Sequence, residues 1–241
     1  MSEIITSIVS FIAFLIHSIT GFGGNIMVFP VLTYLYGSST ARICLNLIAW
    51  ISSISITIDC HKDINVKEYI RIIIWMALGL GIGYLLIPYM KSESIIMTIY
   101  GFIIILIALQ RMLLKDSIVF NKPSLIIILI LAGVIQALFV SGGAFLVIYC
   151  TQALTDKKEF RATFTAVWLS IYTSTFFIQL LGRGYEKEHI KIALFGAIPV
   201  IFASVIGSRI TRKINQQFFM RIVYIFILIV GISLVASNVM H

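Results

Sequence analysis

Gly21-Phe22-Gly23-Gly24-Asn25 joins an apolar run at 4–20 to a second apolar run at 24–36. Glycine tolerates positive φ angles, so such a cluster can break a chain between two helices without a side-chain clash. The second run is shorter than the roughly 20 apolar residues that a straight membrane-spanning helix needs. The cluster therefore predicts a glycine-broken hairpin, either re-entrant or made of short helices.

The composition around this hairpin is that of a membrane protein. Of 241 residues, 60% are hydrophobic and 12% are charged, whereas about a quarter of a soluble domain is charged. No stretch between the apolar runs is long or polar enough for a soluble catalytic domain. The net charge of +8 comes from short basic clusters between apolar runs, which orient a protein in the lipid bilayer and meet its head groups. Nucleic acid is not an expected partner.

The chain divides into two similar halves, at 1–118 and 119–241. Gly23 and Gly24 fall on Gly142 and Gly143 at an offset of 119 residues, and Arg42 falls on Arg161 at the same offset. Each half contains five apolar segments, the second of them short and starting at the glycine pair. The ten segments are 4–20, 24–36, 42–59, 69–89, 94–114, 122–139, 143–154, 161–181, 190–209 and 217–237.

An odd number of segments per half predicts that the second half is inverted relative to the first, as in many secondary transporters. The basic residues agree with this count. One face receives Arg42, Lys91, Arg183, Lys187 and Lys191, and the other face receives the remaining thirteen of the 18 basic residues. The positive-inside rule places the richer face in the cytoplasm. We therefore expect an all-α protein of the inner (plasma) membrane with both termini outside.

The glycine breaks are the candidate binding sites. No Asp, Glu, Lys or Arg lies near the middle of a segment, so a buried counter-charge is not expected to neutralise the ligand. A helix that starts at a break presents about four free N–H groups and a partial positive charge, which can bind an anion. We expect inversion to bring the two breaks towards each other near the midplane. The predicted site residues are His17, Thr20, Gly23, Gly24, Asn25, Gln136, Ser141, Gly142 and Gly143, with Arg42 and Arg161 at the two entrances.

Each of these interpretations has a structural alternative. Small residues are common in membrane helices because they let helices pack closely. Arg42 and Arg161 are also suited to anchor the protein at the interface, with their head groups reaching water. His17 can carry a coupling proton or act as a neutral hydrogen-bonding group, as Gln136 at the equivalent position suggests.

The first glycine cluster resembles a family signature. Gly21-Phe22-Gly23-Gly24-Asn25, four apolar residues and Pro30-Val31-Leu32 are similar to the first motif of the sulfite exporter family TauE/SafE, which reads Gly-x-Gly-Gly-Gly, four apolar residues, Pro, x, Leu. Asn25 and Ala144 occupy the positions where the third glycine of each motif is expected. In the second half, Tyr149 occupies the position equivalent to Pro30. The resemblance implies two homologous halves and transport of small sulfur-containing anions.

These observations predict a transporter of a small anion, favouring a sulfur oxyanion or organosulfonate, that works by alternating access. No enzymatic activity and no cofactor are expected, since the segments hold no carboxylate pair or metal cluster. An anion channel and a non-transporting subunit or scaffold are the alternatives. The sequence leaves open a homo-oligomer, a soluble partner that delivers the substrate, the direction of transport and the coupling ion.

Overall fold

The computed structural model is helical along nearly all the residues it describes. These residues are 1–21, 23–86, 89, 98, 101–106, 108–109, 120–139, 142–182 and 184–239. The helices are α1 (Ser2–Thr20), α2 (Gly24–Tyr36), α3 (Ser38–Cys60), α4 (Val66–Leu86), α5 (Lys122–Phe139), α6 (Gly143–Ala153), α7 (Lys157–Leu181), α8 (Lys187–Lys213) and α9 (Gln216–Val239), with a 3₁₀ turn at His61–Asp63. Within these ranges regular structure is entirely helical, which confirms the predicted all-α class.

Nine of the ten predicted segments coincide with a helix, within a few residues at each end. The remaining one, the fifth segment at 94–114, lies mostly outside the described residues, although 101–106 are helical. Among the described residues, five helices are long and apolar enough to cross a bilayer: Ser2–Thr20, Ser39–Asp63, Val66–Leu86, Lys157–Leu181 and Lys187–Lys213. Apolar runs predicted these elements well because a spanning helix must satisfy its own backbone hydrogen bonds in lipid.

The chain forms two compact units, each made from two separate stretches. Unit 1 comprises Met1–Tyr69 and Lys158–Ile214, and unit 2 comprises Ile70–Lys157 and Asn215–His241. Each unit thus draws on both sequence halves. The division into halves at 118 describes repetition in the sequence, and it stays a prediction.

In unit 1, α8 packs against both α1 and α3. Glu3 pairs with Lys191 over 3.1 Å near the starts of α1 and α8. Near their ends, the hydroxyl of Thr211 lies 3.5 Å from the carbonyl of Ile19. The start of α1 thus contacts the start of α8, and the end of α1 contacts the end of α8. The two helices therefore run parallel.

The direction of α3 follows from similar contacts. The hydroxyls of Ser52 and Ser204 lie 3.3 Å apart near the middle of α3 and α8, and Asp59 pairs with Arg212 at their ends. Helix α3 is therefore parallel to α8 as well. Odd-numbered crossings must share one direction, and α1, α3 and α8 correspond to the first, third and ninth predicted segments.

Helix α7, the eighth segment, runs the other way. Its early residue Arg161 contacts Asp59 at the end of α3, and its later residue Thr173 accepts a hydrogen bond of 2.9 Å from Nε1 of Trp50. An even-numbered crossing is expected to run antiparallel to an odd-numbered one. Helix α7 is therefore antiparallel to α3 in unit 1.

Ion pairs mark the two ends of unit 1. Lys191 and Arg212, which both lie on α8, bind Glu3 and Asp59 respectively. At 1.5 Å per residue they are separated by about 30 Å along the helix axis, which is about the thickness of the hydrocarbon core of a bilayer. The charged pairs are therefore spaced to lie at its two edges.

Unit 2 contains a close helix crossing and a tight hairpin. A Cβ at Gly79 would contact the carbonyl of Ile130, and it would lie 3.0 Å from the Cα of Gly133. Helices α4 and α5 can touch through their backbones only because both positions are glycine, as is usual at membrane helix interfaces. Helix α6 then packs back against α5, so that α5 and α6 form the second short hairpin.

Candidate functional site

The break between α1 and α2 uses glycine in the left-handed region, as the sequence predicts. Gly21 has φ 88° and donates its N–H to the carbonyl of His17 over 2.6 Å, which closes the end of α1. Gly23 has φ 91° and precedes the first residue of α2. Residues with a Cβ rarely adopt these angles. Two left-handed glycines therefore reverse the chain within three residues.

The reversal folds α2 back along α1. A Cβ placed on Gly24 would lie 3.0 Å from the Cβ of His17 and 3.3 Å from Cδ1 of Phe14. At the other end of the hairpin, the hydroxyls of Thr6 and Tyr36 lie 3.2 Å apart. The first turn of α2 thus rests directly on the last turns of α1, and no side chain caps its N-terminus.

A row of aromatic side chains on α7 lies against this break. The row, spaced four residues apart so that its members share one face, consists of Phe160, Phe164, Trp168 and Tyr172. Successive ring centroids are 5.5, 6.0 and 5.6 Å apart, and all four residues are buried. This aromatic row forms a continuous apolar wall with two polar atoms, the indole N–H and the phenol O–H.

Two contacts join the break to the aromatic row. A Cβ on Gly21 would lie 3.3 Å from Cδ1 of Phe164. Nδ2 of Asn25 donates a buried hydrogen bond of 2.9 Å to the hydroxyl of Tyr172. Asn25, which replaces a glycine of the family signature, therefore ties the first turn of α2 to α7.

Buried polar atoms without a partner are concentrated in unit 1. Across the described residues, every buried side-chain nitrogen or oxygen atom that lacks a hydrogen bond belongs to this unit. They include both ring nitrogens of His17, Oδ1 of Asn25 and Nε1 of Trp168. Leaving such groups unsatisfied costs roughly 1–3 kcal/mol each. These three side chains are connected through the contacts His17–Gly24, Asn25–Tyr172 and Tyr172–Trp168. The break therefore contains a cluster of unpartnered polar groups within an apolar core.

Arg161 lies at the same end of α1. Its guanidinium is buried, with 4% of the residue exposed, which does not fit an interfacial anchor that reaches water. Nε donates to the carbonyl of Ser18 over 2.9 Å, one of the last four carbonyls of α1, which have no partner within the helix. The same guanidinium contacts Asp59 at 3.4 Å and the hydroxyl of Ser208 at 2.5 Å.

A cavity of about 150 Å³ lies beside Arg161. Two residues that line it, Asp59 and Ser208, are bonded to Arg161. Its full lining consists of Ser55, Asp59, Ser204, Val205, Ser208, Arg209 and Arg212. Hydroxyls and arginines therefore surround a small cavity at the end of unit 1 where the break lies.

Two further predicted residues of unit 1 have different surroundings. Arg42 is half-buried near the start of α3, about 25 Å from Asp59 along that helix at 1.5 Å per residue. Arg42 and Arg161 thus lie at opposite ends of unit 1. Thr20 is buried and its hydroxyl donates to the carbonyl of Ile16 over 2.9 Å.

The break in the second half, which lies in unit 2, is built differently. Gly142 has φ −66°, in the right-handed region, and its N–H donates to Oε1 of Gln136 over 3.1 Å. A Cβ on Gly142 would collide with the carbonyl of Ala132. Gly142 is thus explained by close packing on α5 rather than by a left-handed angle. Gly143 begins α6, and the predicted site residue Ser141 lies outside the described residues.

The aromatic row and Asp59 are absent from the predicted site. The four-residue spacing of the row is visible in the sequence, but such a stripe on a helix usually indicates packing. Nothing in the sequence pairs Asp59 with Arg161, since 102 positions separate them.

The Asn25–Tyr172 hydrogen bond predicts a measurable coupling. We expect Asn25→Ala and Tyr172→Phe each to lower the free energy of unfolding by about 1–3 kcal/mol, because each leaves a buried polar partner unpaired. Their combination should cost less than the sum by about 1 kcal/mol. Thermal unfolding of the purified single and double variants measures this difference. Tyr36→Phe is the matched control and should be additive with Asn25→Ala, whereas additivity of the first pair would contradict the assigned bond.

The long apolar helices and the buried, glycine-broken hairpin are those of a multi-pass membrane protein. Comparison with known proteins specifies the class further. The chain belongs to the sulfite exporter TauE/SafE family, whose model matches residues 6–234. A relative from Methanocaldococcus jannaschii, named "Probable membrane transporter protein", is 30% identical over an aligned region that covers 87% of this chain and 86% of the relative. No solved structure matches the chain significantly.

Proposed function

We propose that the protein transports a small anion, a sulfur oxyanion or organosulfonate, and that the first glycine break binds it. The observation that carries the proposal is the break itself, where the first turn of α2, which no side chain caps, packs on His17, whose ring nitrogens have no partner. The unpartnered Nε1 of Trp168 lies in the adjacent aromatic row. An uncapped helix N-terminus binds anions through its N–H groups. The description of the family as sulfite exporters favours sulfur anions over other small anions.

Two of the unpartnered side chains at the break suit an anion that is small and has several acceptor oxygens. The indole Nε1 of Trp168 can only donate a hydrogen bond, and a neutral His17 donates from one ring nitrogen. A sulfite or sulfonate group has three oxygens to receive these bonds and those of the backbone. In this proposal Gly23 and Gly24 bind the ligand through backbone N–H groups, while Thr20 and Asn25 shape the site.

Arg161 favours entry of an anion from one side. Its positive charge lies within a turn of the break, although Asp59 offsets much of that charge. Arg209 and Arg212 line the adjacent cavity and belong to the face predicted to be cytoplasmic. We propose that this cavity is the cytoplasmic entrance, with Arg42 at the opposite end of unit 1 marking the external one.

The helix directions support an inverted repeat and alternating access. Helices α3 and α7 occupy equivalent positions in the two halves, and they run antiparallel in unit 1. Inversion of the second half requires this relation. In the proposed mechanism, the two inverted halves expose the same anion first to one side of the membrane and then to the other. The proposed orientation keeps both termini outside and the basic-rich face in the cytoplasm.

A ligand screen followed by a transport assay tests the proposal. Thermal unfolding of the purified protein is measured with sulfite, thiosulfate, sulfate, taurine, sulfoacetate, acetate and chloride at matched ionic strength. A ligand at 100 times its dissociation constant stabilises the folded state by about 2.7 kcal/mol, and we expect one of the sulfur anions to do so. The same anion should then show saturable counterflow in proteoliposomes.

The possible outcomes separate the alternatives. Stabilisation and counterflow by a sulfur anion support a carrier, while flux without saturation or counterflow indicates a channel. Stabilisation by acetate or chloride alone would contradict the assigned substrate class. A protein that no anion stabilises, and that moves none across proteoliposomes, would be a non-transporting subunit.

A further inference from the structure

A second cavity, of about 170 Å³, lies in unit 2. It is bounded by two cations, an indole, a phenol and two aliphatic side chains, namely Arg71, Lys122, Trp75, Tyr149, Leu125 and Ile126. These residues come from α4, α5 and α6 and are distinct from those of the glycine break. None of the described residues that line this cavity is a carboxylate.

The polar side of the cavity is built around Tyr149. This residue is buried, with 2% of its surface exposed, and its hydroxyl accepts a hydrogen bond of 3.4 Å from Nη1 of Arg71. Lys122 is the first residue of α5, and both basic side chains are exposed. Tyr149 lies at the position equivalent to Pro30 of the first motif, so at this repeat position only the second hairpin has a phenol.

The cavity lies near the ends of two helices. Arg71 lies in the second turn of α4 and Lys122 starts α5, so both lie near helix ends rather than in the middle of a span. Both also belong to the face predicted to be cytoplasmic. Basic pockets between transmembrane helices on that side bind anionic head groups, and Trp and Tyr are enriched at that depth.

We propose that this cavity binds the phosphate of an anionic phospholipid. Arg71, Lys122 and the Tyr149 hydroxyl contact the phosphate oxygens, and Leu125, Ile126 and the Trp75 ring contact the glycerol and the start of the acyl chains. Arginine is suited to this role because its planar guanidinium can donate two parallel hydrogen bonds to one phosphate. The site is independent of the anion that the protein transports.

The test compares lipids and soluble anions on the delipidated, purified chain. Thermal unfolding is measured in detergent micelles with added phosphatidylglycerol, phosphatidylcholine, inorganic phosphate or sulfite. We expect phosphatidylglycerol to raise the melting temperature by on the order of 5 °C, and phosphatidylcholine and inorganic phosphate to leave it unchanged. The combined variant Arg71→Gln, Lys122→Gln should lose this rise. Its melting temperature without lipid is expected to be somewhat lower than that of the wild type, because Tyr149 loses its bond with Arg71, so the rise is measured from each variant's own lipid-free value.

Arg221→Gln is the matched control, because Arg221 is an exposed basic residue of unit 2 on the same predicted face and does not line the cavity. This variant should keep the full response to phosphatidylglycerol. An equal response in the cavity variant would overturn the proposal. A response to inorganic phosphate or sulfite that the cavity variant loses would assign the cavity to a soluble anion instead. If the cavity variant fails to fold, native mass spectrometry of Arg71→Lys and the wild type decides, with weaker lipid retention by the variant expected.

Discussion

Gly24→Leu is expected to reduce transport strongly while leaving most of the helical structure intact. Even a Cβ at this position would lie 3.0 Å from His17 and 3.3 Å from Phe14, and a leucine adds three more carbon atoms. Overpacking of a buried contact costs about 1–3 kcal/mol, which corresponds to about 5- to 150-fold in affinity if it falls on the bound state. Proteoliposome counterflow and circular dichroism measure the two effects separately.

The matched control is Gly81→Leu. Gly81 also lies within a helix, but a Cβ placed there meets no atom within 4 Å, so this variant should transport normally. Gly24→Ala should fall between the wild type and the leucine variant, because only one carbon atom is added. A Gly24→Leu protein that folds and transports like the wild type would exclude the first break as the binding site.

The second large effect is expected in stability. Arg161→Met should lower the free energy of unfolding by about 3–5 kcal/mol, as does removal of one member of a buried ion pair. The variant leaves the Ser18 carbonyl and the Ser208 hydroxyl without their donor and takes one of two cations from Asp59. Thermal unfolding in detergent, followed by tryptophan fluorescence, measures the loss.

Arg212→Met tests whether burial is the cause. Arg212 pairs with the same carboxylate, but 68% of its side chain is exposed, and exposed ion pairs contribute only about 0–1 kcal/mol. The melting temperature should therefore fall much further in Arg161→Met than in Arg212→Met. Equal effects would mean that Arg161 acts only as one charge among several near Asp59.

The sequence predicts the helices of this fold well. A helix within a membrane has to be apolar along its length, so apolar runs mark where helices begin and end. The runs 122–139 and 24–36 have the same bounds as α5 and α2. The left-handed break at Gly21 and Gly23 was also predictable, because few residues other than glycine adopt those angles.

The predicted equivalence of the two breaks fails at the backbone. Gly142 aligns with Gly23, yet its φ is −66° rather than 91°. Glycine is suited both to left-handed turns and to close backbone contacts. The presence of a glycine in the sequence does not show which of the two applies. The contact with the Ala132 carbonyl, which explains Gly142, depends on how α5 and α6 cross.

The polar contacts of the candidate site could not be predicted from the sequence, for another reason. Asn25 and Tyr172 are 147 positions apart, and Arg161 and Ser18 are 143 positions apart. Only the packing of α7 against the first hairpin brings them together. Sequence patterns report which face of a helix is apolar, but they do not report which distant helix will cover a given polar atom.

The discontinuous make-up of unit 1 affects how the protein is made. Ribosomes add about 5–20 residues per second, so α1 to α3 precede α7 and α8 by on the order of ten seconds. During that interval His17 and Asn25 lack the helix that will cover them, although they belong to segments that must already enter the membrane. We expect the nascent chain at this stage to be open to misinsertion and proteolysis until α7 has been synthesised.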